Sequence, residues 1–238
     1  MSQLDKPVVA VVVAAGSGSR LGAALPKALV ELDGVPLVRR AVDALADGGV
    51  TDIVVTIPEG MAEAFGRALE GAAVPVGCIV GGATRQDSVR LGLAALDAPG
   101  HAVVLVHDAA RALVPPSVVR AVAGAVSDGA EVVIPVVPVV DSIRRLDPYG
   151  SHVVDRADLR AVQTPQAARL DTLRAAHARI AAEGIAVTDD AAACEHAGLR
   201  VTLVDGHRDS LKVTEPVDMV LARAVLAERL RTDSEEGP

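Results

Sequence analysis

The sequence predicts an α/β fold: a Rossmann-like, mostly parallel sheet flanked by helices, with a β-hairpin arm protruding from it. Three observations carry this expectation. Short aliphatic runs alternate with amphipathic stretches, the order that builds a parallel sheet covered on both faces. Gly16, Gly81 and Asp108 each sit just past an aliphatic run, and ligands in such sheets bind beyond the carboxyl ends of the strands. One segment, from about Val139 to Gln163, breaks the alternation and reads as the arm.

The expected strands are Val8–Ala14, Asp52–Ile57, Val76–Val80, Ala102–His107, Glu131–Val136 and Arg200–Val204. The first is a run of β-branched residues, the pattern of a strand buried on both faces. The expected helices are Pro36–Asp47, Gly60–Glu70, Gln86–Leu96, Pro116–Ser127, Leu170–Glu183, Asp189–His196 and Pro216–Leu230. In the arm, Asp147-Pro148-Tyr149-Gly150 is a strong turn signal between the short polar strands SIRRL and HVVDR. A lone two-stranded hairpin is marginal in water, and a second copy of the same arm would support it. Residues 1–238 are read as one domain, with the arm at about 139–163 inserted in it and a frayed polar tail at 232–238.

Composition narrows the partners. Half of the 238 residues are hydrophobic, so a large core is available, yet Phe65 and Tyr149 are the only aromatic residues. Base stacking on several aromatic rings is therefore excluded. The net charge of −8 and the lack of a long basic block argue against nucleic acid or an anionic membrane surface. No apolar run approaches the ~20 residues that span a bilayer. The N-terminus MSQLDKP shows no signal region, and the chain reads as a cytoplasmic protein. Cys78 and Cys194 read as reduced, partly buried small hydrophobes, and no Cys/His cluster has zinc spacing.

The stretch VVVAAGSGSRLGAALPK at residues 11–27 carries the most information about chemistry. A strand feeds Ala14-Ala15-Gly16-Ser17-Gly18-Ser19-Arg20, and Pro26-Lys27 follows. Glycines let the backbone turn sharply and bring N–H groups to an anion, while Arg20 and Lys27 add fixed positive charge. A strand, a glycine-rich loop and two cations make a device for holding phosphate. The spacing excludes a P-loop, which needs Lys directly after its second Gly. It also excludes a dinucleotide fingerprint, since Leu21 stands where the third Gly belongs.

This string resembles the signature of nucleotidyltransferases that activate small phosphates, and among them it is most similar to the 2-C-methyl-D-erythritol 4-phosphate cytidylyltransferase family of the non-mevalonate isoprenoid pathway. The resemblance spans roughly residues 8 to 222, with its motifs in the same order and at similar spacing. It implies a nucleotide-diphospho-sugar transferase-like fold and a homodimer built by the arm. A second motif, Gly81-Gly82-Ala83-Thr84-Arg85-Gln86-Asp87-Ser88-Val89, offers close backbone approach to a flat nucleobase, with the Ser88 hydroxyl in the first helical turn. Ala83 departs from the polar residue that relatives often carry there. A third motif, Val106-His107-Asp108-Ala109-Ala110-Arg111, places a carboxylate at a strand end, where it can hold a ribose hydroxyl, a magnesium shell or a substrate hydroxyl. His107 reads as structural, because a phosphate monoester is already ionised and needs no base to attack.

The resemblance also assigns roles. CTP would be held by Ala14, Ala15, Gly16, Gly18, Gly82, Ala83, Ser88, Asp108 and Ala109. Methylerythritol phosphate would be held by Asp108, Arg111, Ser142, Arg156, Thr164 and Lys212, with Arg156 reaching from the arm into the partner's site. Ser142 replaces a Thr common at its place and keeps the hydroxyl. Arg20, Lys27, Arg156 and Lys212 would carry catalysis. Mg²⁺ would bridge the phosphate oxygens, with Asp108 the one candidate contact and no confident protein ligand. Asp155, Asp141, Gln163, Gln166 and Ser210 lie in neighbouring motif positions, whereas Thr188-Asp189-Asp190 reads as a helix cap without a catalytic part. Competing readings are a cytidylyltransferase for ribitol 5-phosphate, a sugar-1-phosphate nucleotidylyltransferase, a dehydrogenase and a non-catalytic nucleotide-sensing module.

Overall fold

The computed structural model describes residues 7–16 and 25–235. In chain order the elements are β1 (Val8–Val13), a 3-10 turn (Lys27–Leu29), β2 (Glu31–Leu32), β3 (Val35–Pro36), α1 (Leu37–Asp47), β4 (Asp52–Ile57), α2 (Ala62–Leu69) and β5 (Val76–Val80). Next come α3 (Arg85–Ala95), β6 (Val103–Asp108), α4 (Pro116–Ser127), β7 (Val132–Pro138), β8 (Ile143–Asp147) and β9 (Gly150–Val154). The remainder are β10 (Arg160–Val162), β11 (Gln166–Arg169), α5 (Leu170–Glu183), α6 (Asp190–His196), β12 (Val201–Asp205), a second 3-10 turn (Arg208–Ser210) and α7 (Pro216–Glu235).

Eight strands form the main sheet, in the order β10-β7-β11-β6-β1-β4-β5, with β12 along the other side of β7. The strands β6, β1, β4 and β5 are mutually parallel, and β12 runs parallel to β7. The β11 strand is antiparallel to both β6 and β7, so it wedges between two strands of the opposite direction. Successive strand side chains face opposite ways, and β1 shows the result. Ala10 and Val12 join one core with Val38, Val42, Phe65, Val119 and Val122 from α1, α2 and α4. Val9 and Val11 join a second core with Val89, Leu93, Leu173 and Ile180 from α3 and α5. A smaller cluster seats α7 through Met219 and Ala222 on Leu32, Leu37 and Leu113.

The expected strands and helices are present with end shifts of one or two residues, except that α7 continues to Glu235, past the expected end at Leu230 and into the tail expected to fray. Two features were not anticipated. The pair β2–β3 turns through Asp33 and Gly34, both at positive φ, the Asp-Gly signature of a tight hairpin. The strands β10 and β11 come from a segment read as arm and loop. Residues 160–162 pair with β7 instead of extending the arm, which narrows the hairpin proper to β8 and β9. That hairpin is exposed: Leu146 is 80% and Tyr149 fully accessible. Cys194 is buried as expected, and burial pushes its thiol up to about 12, whereas Cys78 lies exposed on the edge strand β5. Among the described residues no helix is long and apolar enough to cross a membrane.

Candidate active site

The parallel register of β1 and β6 pairs Val13 with Asp108, so both strands end at one edge of the sheet. The chain leaving each end is tied to a neighbouring strand: the Ala14 N–H donates to the Thr56 carbonyl, the Ala109 N–H to Val13, and the Gly81 N–H to Ile57. These exits surround a cleft of about 210 Å³. Its walls are Ala14, Ala15, Gly16 and Lys27 on one side and Gly82, Ala83, Thr84, Arg85 and Ser88 on another, with Asp108, Ala109 and Lys212 closing it.

The Gly81-Gly82 pair is demanded by space. A Cβ on Gly81 would lie 2.5 Å from Ala15 Cβ, and one on Gly82 would lie 2.3 Å from Asp87 Cβ. Thr84 caps α3 by accepting from the Asp87 N–H. Ser88 is buried, and its Oγ accepts from the Gly82 N–H at 3.1 Å and donates to the Thr84 carbonyl at 2.9 Å. The hydroxyl therefore shapes the glycine loop from within, and the loop presents its backbone to the cleft.

Asp108 is the centre of charge. Its Oδ2 lies 2.7 Å from Lys212 Nζ and 4.0 Å from Arg111 Nε, and its Oδ1 lies 3.3 Å from Arg85 Nε. Burial alone would push this carboxyl up, but Arg85, Lys212 and Arg111 outweigh it and hold it well below the usual carboxylate range. Arg85 in turn places Nη2 at 2.8 Å from Asp190 Oδ2, and Asp190 Oδ1 lies 3.1 Å from His177 Nε2. Arg111 sits beneath the cleft, donating to the carbonyls of Ser210 (2.7 Å) and Val162 (3.3 Å). With Lys27, the named cations outnumber Asp108 and Asp190, so an acidic chain presents a cationic pocket.

The turn bearing Asp108 is fixed from behind. Its N–H donates to Thr164 Oγ1 at 3.1 Å, and Thr164 Oγ1 lies 3.0 Å from His107 Nδ1. The Thr164 proton is thus directed at Nδ1, which leaves the ring hydrogen on Nε2, 3.2 Å from the Arg111 carbonyl. Burial pushes His107 down to about 4, against the pull of Asp108, so the ring is neutral near pH 7. An unfolded chain takes up this proton near its ordinary value of 6.5, which the folded ring resists. Stability contributed by the neutral ring is present above pH 6.5 and is lost as pH falls toward about 4, by about 3 kcal/mol in all. Urea titrations across that window, compared with His107→Asn, test this: the variant should show a clearly flatter decline.

A family model for 2-C-methyl-D-erythritol 4-phosphate cytidylyltransferase matches residues 8–228. The chain belongs to this family. It is 49% identical over 225 residues to a protein of that name from Saccharopolyspora erythraea, covering 92% of this chain and 99% of the relative. It is 50% identical over 223 residues to one from Frankia casuarinae, covering 92% of this chain and 81% of the relative. The solved 2-C-methyl-D-erythritol 4-phosphate cytidylyltransferase from Thermus thermophilus superposes with a TM-score of 0.76 at 34% identity, covering 91% of this chain and 98% of that one. A 4-diphosphocytidyl-2C-methyl-D-erythritol synthase from Anaerococcus prevotii gives 0.81 at 25% identity, covering 93% and 99%.

Within this cytidylyltransferase-family chain, Gly18 and Arg20 lie outside the described residues. Ser142 and Arg156 flank the arm hairpin, away from the cleft walls, and the Arg156 guanidinium donates to the Val140 carbonyl. Thr164 is buried behind Asp108 with its hydroxyl already engaged, so here it positions the carboxylate instead of facing the cleft. Sequence reasoning quoted Arg85 and Gln166 within motifs without giving either a role, and read Asp190 only as part of a helix cap. Asp189 does cap α6, accepting from the Ala192 N–H, but the next residue, Asp190, is a buried partner of Arg85. The one signal for that pair was the Arg inside the Gly81–Val89 motif.

Proposed function

We propose that this chain transfers the cytidylyl group of CTP to 2-C-methyl-D-erythritol 4-phosphate, releasing pyrophosphate. The observation that carries this is the cationic cleft at the ends of β1 and β6, built from the motifs of the family to which the chain belongs. An oxygen of the substrate phosphate attacks the α-phosphorus in line, a new P–O bond forms, and the α–β bridge bond breaks with its electron pair leaving on pyrophosphate. The nucleophile is already anionic, so the protein's work is positioning and charge stabilisation. Lys27, with Arg20, would stabilise the charge gathering on the α-phosphate. The backbone of Gly82 and Ala83 would meet the cytosine, its curvature set by Ser88. Asp108, fully ionised, would accept from a substrate hydroxyl, and Lys212 beside it would draw in the phosphate of the second substrate.

The described side chains do not make a metal site of their own. Among the described residues no cluster of three or more His, Cys, Asp and Glu is placed to hold a cation, and both oxygens of Asp108 already face Arg85, Lys212 and Arg111. Mg²⁺ in this reading would enter on the phosphate oxygens of CTP.

The arm supports a homodimer. A hairpin of five-residue strands with Leu146, Tyr149 and Val153 exposed needs a surface to cover it. A partner's arm could then bring Arg156 and Ser142 to the cleft from outside. Pyrophosphate release from CTP with methylerythritol phosphate, against ribitol 5-phosphate and against ATP, GTP and UTP, tests the substrate. Release with ribitol phosphate alone moves the assignment to that neighbouring activity, and silence from a chain that binds CTP favours a sensing module. Arg156→Ala should chiefly raise KM for the polyol phosphate. Mixing it with Lys27→Ala should regenerate native sites in about a quarter of all sites, by random pairing of two-fold dimers. No regain in proven mixed dimers places Arg156 outside the partner's site.

A further inference from the structure

The chain of ion pairs running inward from the cleft has no role in the transfer chemistry described so far. Asp190 is 1% exposed and makes two charge-assisted contacts, at 2.8 Å to Arg85 Nη2 and at 3.1 Å to His177 Nε2. Its backbone N–H is bonded to Gln166 Oε1 at 3.0 Å, so the carboxylate has little room to shift. Arg85 spans the gap: one edge of its guanidinium is held by Asp190, and its Nε faces Asp108 Oδ1. That leaves Asp108 Oδ2 for Lys212.

We propose that Arg85 and Asp190 are positioning residues, Asp190 anchoring Arg85 and Arg85 orienting the Asp108 carboxylate so that Lys212 is aimed at the phosphate of the second substrate. A carboxylate facing several cations can rotate among them, and its orientation is set by whichever cation is itself immobile. Lys212 is on a flexible stem and partly exposed, so it follows Asp108. Arg111 reaches Asp108 at the longest distance and is committed to two carbonyls. Arg85 alone is tied on its far side to a buried carboxylate. A planar fork can bridge two carboxylates in this way, whereas a lysine ammonium at the same place supplies charge without the bridge.

The inference rests on the proposed transfer reaction for its kinetic readout, so the test also carries one that does not depend on turnover. Steady-state kinetics would be measured for the native enzyme and for Arg85→Gln, Arg85→Lys, Asp190→Asn and the double variant Arg85→Gln/Asp190→Asn. Each variant should lose roughly 10²-fold in kcat/KM for the polyol phosphate, the scale of a misplaced contact, while KM for CTP changes far less. Arg85→Lys should stay impaired although charge is kept. Arg85→Gln removes the guanidinium that two buried carboxylates share and should melt early. The double variant removes one of them and should regain thermal stability without regaining activity.

The independent readout is the Lys212 ammonium resonance in nitrogen-15 NMR, assigned by its loss in Lys212→Arg. It should be visible in the native protein, where Asp108 holds the ammonium, and should broaden away in Arg85→Gln and Asp190→Asn. Full activity in Arg85→Lys, activity that returns with stability in the double variant, or an unchanged ammonium signal would overturn the proposal. Native protein that is silent with CTP and methylerythritol phosphate would sink the reaction assignment instead, and the ammonium signal would still decide the arrangement.

Discussion

Replacing Lys27 with alanine should lower turnover by roughly 10²–10³-fold, the cost of removing one transition-state donor. The residue opens the 3-10 turn Lys27–Leu29, whose next two residues, Ala28 and Leu29, are buried in the core below the sheet edge. That anchorage puts the lysine on the wall of the cleft that faces Gly82 and Asp108. In the reaction proposed here, negative charge grows on the α-phosphate as the new P–O bond forms. A cation fixed there before the reaction stabilises this charge without reorganising. The change should fall on kcat more than on KM for CTP, because the ground-state triphosphate keeps the loop amides and the other cations. Ala28 and Leu29 hold the turn regardless of the side chain before them, so the melting temperature should barely move. Pyrophosphate release under saturating substrates measures the rate, and thermal melting supplies the control. Turnover within a few fold of native would remove Lys27 from the chemistry and shift that duty to Arg20.

The fold was largely legible because its signals are local. A run such as Val8–Val13 is aliphatic enough to be buried on both faces wherever it goes, and the alternation of runs and amphipathic stretches fixes parallel strands with little choice. Residues 160–169 failed this reading for a physical reason. The segment carries two Gln, a Pro and three Ala, so its own β propensity is weak. The strand β11 forms because β6 and β7 present two free edges between which it fits. The site divides in the same way. Gly16, Gly82 and Asp108 were found because each lies at or just past a strand end, and Lys27 because it follows the same glycine-rich loop, whereas Arg85 and Asp190 meet across 105 positions of sequence. Thr164 was expected to hold a substrate because the family resemblance assigns that role to its position. Its neighbour Asp108 instead needed a partner for a buried N–H, and the threonine supplies it.

Gln166 is where the second large effect is expected. Its side chain is 2% exposed on β11, and Oε1 accepts from the N–H groups of both Asp190 (3.0 Å) and Ala191 (2.9 Å). These are donors of the first turn of α6, which no carbonyl within the helix can satisfy. Its Nε2 donates to Asp189 Oδ2 at 3.0 Å, which holds the capping residue as well. Gln166→Ala leaves two buried amides without partners, at about 1–3 kcal/mol each, so a loss of about 2–6 kcal/mol is expected. A domain of ordinary stability has only about 5–15 kcal/mol in hand, so the variant should unfold at much lower urea. Gln166→Glu separates the two halves of the interaction. The introduced carboxylate still accepts from both amides, but it meets Asp189 without a proton between them. It should destabilise less than alanine, and lowering the pH enough to protonate the pair should recover part of the deficit. Urea midpoints for the three proteins at two pH values decide the matter. A change below about 0.5 kcal/mol in the alanine variant, the range of an ordinary surface substitution, would mean that α6 does not depend on this amide. Because α6 delivers Asp190 to Arg85, such a result would also remove the mechanical link between β11 and the cleft.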